Sequence, residues 1–90
     1  MITAIAGLGL MGASFARALK RNPQNTVLGY DKNPIVEKKA IAVSAVDLIL
    51  DESTVKEADI LIIALYPRFF LETAERFLPK MKKGASLIDF

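Results

Sequence analysis

Cysteine, histidine and tryptophan are all missing from this 90-residue chain. Without cysteine there are no disulfides, thiolate nucleophiles or thiolate metal sites, which suits a reducing cytoplasm. Without histidine there is no side chain whose ordinary pKa lies near neutrality, so proton transfer would fall to a shifted carboxylate, lysine or tyrosine. Charge of one sign is not concentrated either. The 12 basic and 10 acidic residues are scattered along the chain to a net +2, which gives no field to gather nucleic acid or anionic lipid. No run approaches the ~20 apolar residues of a membrane span. The first apolar stretch, Ile2 to Phe15, has no basic region before it and is broken by three glycines, unlike a signal peptide. Neither nucleic acid nor a membrane is expected as a partner, and no metal-ligand set or catalytic residue is assigned.

What the chain does have is aliphatic surface to bury. Hydrophobic residues make up 52% and charged residues 24%, the composition of a globular domain, although so short a chain supports one modest core at most. Residues 1–90 are read as a single domain.

Periodicity alternates short apolar runs with amphipathic segments. Ile2 to Ala6 and Thr26 to Tyr30 read as strands. Between them Met11, Phe15, Ala18 and Leu19 form a helical stripe that Asn22 and Pro23 end. Asn33 is a candidate N-cap with Pro34 at the first helical position, for a helix to about Ile41. Leu48 to Leu50 is read as a short third strand, and Thr54 with Glu57 has the spacing of a capping box for one helical turn. Asp59 to Leu65 is the strongest strand signal. From Pro67 to Pro79 the positions Phe70, Leu71, Ala74, Phe77 and Leu78 keep a 3.6-residue period, with Phe69, Phe70 and Phe77 assigned to the core. Lys80, Lys82 and Lys83 read as a solvated helix end, Gly84 as a turn, and Ala85 to Asp89 as a fifth strand. Helix-length connections join parallel strands by right-handed crossovers. The fold class expected is therefore α/β, a Rossmann-like open parallel sheet of about five strands in the order 3-2-1-4-5.

In such a sheet the turn after the first strand lies at the topological switch point. Here that turn is "GLGLMG", with Gly7, Gly9 and Gly12 spaced as G-x-G-x-x-G. The first glycine permits a tight turn, the second lets a pyrophosphate approach the backbone, and the third lets helix and strand pack closely. The amides near Leu10 and Met11 open the helix and can hold an anion without a basic side chain. Asp31, 19 residues beyond Gly12, stands where such motifs place the acid that accepts ribose hydroxyls. Its charge favours NAD over NADP, although Lys32 beside it could tolerate a phosphate. The candidate cofactor-binding set is Gly7, Leu8, Gly9, Leu10, Met11, Gly12, Asp31, Lys32, Leu65 and Tyr66. Tyr66 either lines the groove or packs beneath the helix that follows, and Ser14 is read as a small residue in a tight helix.

The stretches "GLGLMGASFARAL", "GYDKNP", "EADILIIALYP" and "LPKMKKGASLIDF" together resemble the amino-terminal nucleotide-binding half of prephenate dehydrogenases, a family that includes the arogenate dehydrogenases of tyrosine biosynthesis. The resemblance covers nearly the whole chain. It implies an oxidoreductase that performs an oxidative decarboxylation, with hydride passing from a small-molecule substrate to NAD. It also implies a catalytic histidine and a helical dimer-forming domain beyond the fifth strand. The chain is therefore expected to be a fragment that binds cofactor without catalysis, from a cytoplasmic homodimer, with the edge of its last strand open to self-association. The alternatives are the nucleotide-binding part of a β-hydroxyacid or imine-reducing dehydrogenase, and a complete non-enzymatic nucleotide sensor.

Overall fold

A computed structural model describes residues 1–89; Phe90, the last residue of the "LIDF" stretch, lies outside the described residues. Five strands, β1 (Ile2–Ala6), β2 (Thr26–Tyr30), β3 (Leu48–Ile49), β4 (Ile60–Ile63) and β5 (Ser86–Asp89), form one parallel sheet in the order β3-β2-β1-β4-β5. This is the Rossmann-like α/β order expected from the alternation. Helix α1 (Leu10–Leu19) joins β1 to β2, α2 (Pro34–Ala42) joins β2 to β3, and α3 (Pro67–Phe77) joins β4 to β5.

Nearly continuous apolar runs, broken only by Thr3, form the two central strands because both of their faces are covered. On one face Ala4, Ala6, Leu61 and Ile63 pack with Leu50, Val55, Ala74 and Phe77. On the other, Ile5, Val27 and Ile62 pack with Leu8, Ala16, Ala40 and Val46. Carboxylates fasten the amino-terminal end of the sheet: Asp59 Oδ2 accepts the Ile2 amide and Asp47 Oδ2 the Val27 amide, each at 2.8 Å. Lys82 and Lys20 in turn pair with these acids. Lys82 is thus not part of a merely solvated helix end.

Several local expectations shift. In α1 the buried positions are Gly12 and Ala16, while Met11 and Ala18 face outward. The close approach of residue 12 to the first turn, described below, fixes the rotation of this helix more strongly than its larger side chains do. In α3 the buried face is Thr73, Ala74 and Phe77, with Leu71 and Leu78 exposed. Asn33 caps α2 as expected, its side chain accepting the Ile35 amide at 2.9 Å. The Thr54 capping box does not form. Asp51 Oδ1 takes the Ser53 and Thr54 amides, and the Thr54 hydroxyl donates to the Ile49 carbonyl, leaving a 3-10 turn at Val55–Glu57. All four residues of β5 are exposed. No described helix is long and apolar enough to cross a membrane.

Candidate functional site

The carboxyl ends of β1 and β4 and the end of β2 converge beside the glycine turn. Gly7 leaves β1 with φ +99°, a left-handed conformation that favours glycine. Its amide donates to the Tyr30 carbonyl at 2.7 Å. A β-carbon on Gly7 would strike the Ala64 carbonyl and sit 2.9 Å from Leu65 Cδ2. A β-carbon on Gly12 would collide with the Gly7 carbonyl oxygen. A β-carbon on Gly9, by contrast, meets nothing within 4 Å among the described residues. Two glycines are therefore fixed by the protein's own packing, whereas Gly9 borders empty space.

Gly9 is also the N-cap of α1. It has no side chain to satisfy the first amides, and the first turn holds no acidic residue. The Ala13 amide bonds to the Gly9 carbonyl at 2.9 Å, so the donors left at the helix start are those of the residues before it. They carry the positive end of the helix dipole. No side chain stands at Gly9 to exclude an anion from these amides.

These residues line a cavity of about 450 Å³, within the range of small-ligand pockets. Gly7 and residues 9–12 form one side, Asp31 adds a carboxylate, and Ala64, Leu65, Tyr66 and Pro67, at the β4–α3 junction, form another wall. Asp31 is held in place: Oδ2 accepts the Leu8 amide at 2.8 Å and Oδ1 the Asn33 amide at 2.9 Å. Its own amide donates to Glu37 Oε2 at 3.1 Å. Each carboxylate oxygen keeps a second acceptor position.

The structure thus brings together at the cavity eight of the ten candidate residues. Leu8 and Lys32 do not line it. Leu8 is buried, its side chain in the core and its amide bound to Asp31. The Lys32 ammonium sits 3.4 Å from the centroid of the Phe69 ring, with the Arg68 guanidinium carbon 4.7 Å from the same centroid. Phe69 is accordingly not a core residue; it is half-buried between elements, whereas Phe77 is fully buried and Phe70 packs against the core. Tyr66 is 75% exposed and lines the cavity instead of packing beneath α3. The Ser14 hydroxyl turns back to the Leu10 carbonyl at 2.9 Å. Ala64 and Pro67 are the lining residues missing from the candidate set, and Ala64 is the less conspicuous of the two. Its position just after β4, at the carboxyl end of a central strand, is the signal that could have found it.

The family model described as the nucleotide-binding domain of prephenate dehydrogenase matches residues 15–90. The cyclohexadienyl dehydrogenase of Zymomonas mobilis is 37% identical over 89 residues, which is 96% of this chain and 30% of that protein. Among solved structures, Synechocystis arogenate dehydrogenase superposes with a TM-score of 0.90 at 29% identity, covering 99% of this chain and 32% of that one. Prephenate dehydrogenase from A. aeolicus, solved with hydroxyphenyl propionate and NAD+, superposes with a TM-score of 0.86 at 28% identity, again over 99% of this chain and 32% of that one. The chain spans about a third of the length of these relatives.

Proposed function

This chain belongs to the family of prephenate dehydrogenase nucleotide-binding domains, and from that membership we propose that it forms the NAD-holding part of a longer oxidoreductase. One observation carries the reading: the uncapped start of α1 and the fixed Asp31 carboxylate line the same cavity. Gly9 leaves room for the pyrophosphate, and the amides of Leu10, Met11 and Gly12 donate to it. The free acceptor positions of Asp31 take the adenosine ribose hydroxyls, which favours NAD over a nucleotide bearing a 2'-phosphate. Leu65 and Tyr66 form the apolar wall along which the cofactor lies. When bound, the nicotinamide supplies a hydride acceptor.

In the longer protein the reaction is the oxidative decarboxylation of a prephenate- or arogenate-type substrate, a step of tyrosine biosynthesis in the cytoplasm. This chain contributes no histidine, so residues outside positions 1–90 supply the proton-transfer and substrate-binding groups, and a further helical domain forms a homodimer. Taken alone the 90 residues bind the cofactor and do not turn over substrate. The family match favours this reading over a β-hydroxyacid or imine-reducing dehydrogenase and over a nucleotide sensor.

Calorimetric titration of the folded 90-residue chain with NAD tests the site, and a 1:1 binding isotherm is expected. Absence of heat at millimolar NAD would defeat the assignment. For the reaction, the full-length protein should reduce NAD with prephenate or arogenate, followed by the absorbance of the reduced nicotinamide; inactivity with both would rule out the substrate class.

A further inference from the structure

We propose that the groove between α1 and α2 binds a small amphipathic carboxylate, an apolar chain ending in an anionic head. The two helices cover the face of the sheet opposite α3. Gly9 and Leu10 border this groove as well as the dinucleotide cavity, but Asp31 and the β4–α3 wall take no part in it. The inference therefore does not depend on the dinucleotide reading.

The groove encloses about 340 Å³, at the lower end of the range for small-ligand pockets. Its walls are apolar, formed by Leu8, Ala13, Val36, Ala40 and Ala45, of which Leu8, Ala40 and Ala45 are also core residues. The end of α2 fixes its shape. The Ala45 amide bonds back to the Ala40 carbonyl at 2.9 Å across Ser44, whose φ of +59° is left-handed. That turn brings both Val43 and Ala45 to the groove. Water there meets few polar groups, so an apolar chain displaces it favourably.

Two cations complete the lining, Arg17 from α1 and Lys39 from α2, both exposed. No carboxylate lines the groove among the described residues. Neither cationic side chain has an ion pair or a hydrogen bond among them either. A neutral apolar ligand would leave both charges unanswered, and an inorganic anion would leave the apolar walls wet. An acyl carboxylate satisfies both features: its chain covers the walls, and its head accepts charge-assisted hydrogen bonds from the guanidinium and the ammonium.

Octanoate is the probe, titrated calorimetrically into the full-length protein, with 1-octanol and acetate as arms that lack the charge and the chain. Octanoate should bind 1:1 with a dissociation constant of about a millimolar or below, the range open to a ligand of this size. 1-Octanol should bind at least about fivefold more weakly, and acetate undetectably. The Arg17→Ala/Lys39→Ala double variant should weaken octanoate at least about tenfold, while Lys39→Arg keeps the wild-type value. Val43→Ser removes apolar wall without touching charge and should weaken octanoate roughly threefold. Lys83→Ala, an exposed cation that does not line the groove, controls for net charge and should change nothing. Circular dichroism checks the folding of each variant. Absence of octanoate binding at millimolar concentration, equal affinity for 1-octanol, or an unchanged constant in the double variant would each overturn the inference. Should the double variant lose its fold, Val43→Ser decides, an unchanged constant there being equally fatal. None of these outcomes bears on NAD, so failure here leaves the dinucleotide reading intact.

Discussion

Asp31 Oδ2 accepts the Leu8 amide at 2.8 Å across 23 residues of sequence. One carboxylate therefore anchors the glycine turn to the end of β2 and also offers its remaining lone pairs to the cavity. Removing it should have two separable effects. Asp31→Ala is expected to lower the NAD affinity by 10- to 100-fold, the size of one or two lost hydrogen bonds to a charged group, and to lower the melting temperature by several degrees because the Leu8 and Asn33 amides lose their acceptor. Asp31→Asn should recover part of the stability and little of the affinity. Calorimetry and thermal unfolding on the same samples separate the two roles.

Two glycines of the turn, Gly9 and Gly12, should respond differently to a single methyl group. Gly9→Ala places its β-carbon in open space at φ −65°, so stability should stay within about 0.5 kcal/mol of wild type or rise, while NAD affinity falls at least tenfold. Gly12→Ala drives a β-carbon into the Gly7 carbonyl, and backbone cannot yield as a side-chain tip can. Its expected cost is about 3 kcal/mol or more. Thermal unfolding distinguishes a variant that folds and fails to bind from one that fails to fold.

Thr3 on β1 is 1% exposed, and its Oγ1 has no hydrogen-bond partner among the described residues. A buried hydroxyl without a partner keeps its desolvation cost and gains nothing in return. Thr3→Val keeps the shape and removes the polar atom, so it should stabilise the fold by about 1 kcal/mol, seen as a higher denaturant midpoint with an unchanged slope. A destabilised variant would show that the hydroxyl has a partner in solution.

Stability should be lost on the acid side. Hydrogen bonds from the Ser53 hydroxyl and the Thr54 and Ser53 amides hold Asp51 below its ordinary value; the Ile2 amide and then Lys82 do the same for Asp59, and Arg76 for Glu52. A carboxylate whose pKa is lower in the folded state stabilises fully above its unfolded pKa and loses that contribution as pH falls through the folded value. Denaturant midpoints should therefore be level from about pH 7 to 5 and drop below about pH 4. No histidine is present to add a transition near neutrality.

The strand order was legible because β1 and β4 are covered on both faces and read as almost wholly aliphatic runs, Thr3 being the exception, and the cavity because Gly7, Gly9, Gly12 and Asp31 keep a spacing with a mechanical meaning. What escaped the sequence was decided by competition among neighbours. Thr54 and Glu57 have capping-box spacing, but Asp51 takes the Thr54 amide from outside that pattern and the Glu57 amide bonds to the Thr54 carbonyl instead. Met11 and Ala18 look like core residues until the contact of Gly12 with Gly7 turns α1 so that the smaller residues face the sheet. Phe69 is as apolar as Phe77, and only the two cations that meet over its ring mark it as lying outside the core. Ala64 carries no chemical signal of its own; its place after β4 is what brings it to the cavity.

Because the Gly12 turn of α1 rests directly on the Gly7 carbonyl, the cradle has no hinge of its own. The socket already has its shape without a ligand, so loading it should order little new backbone and the association step should proceed without a slow conformational phase.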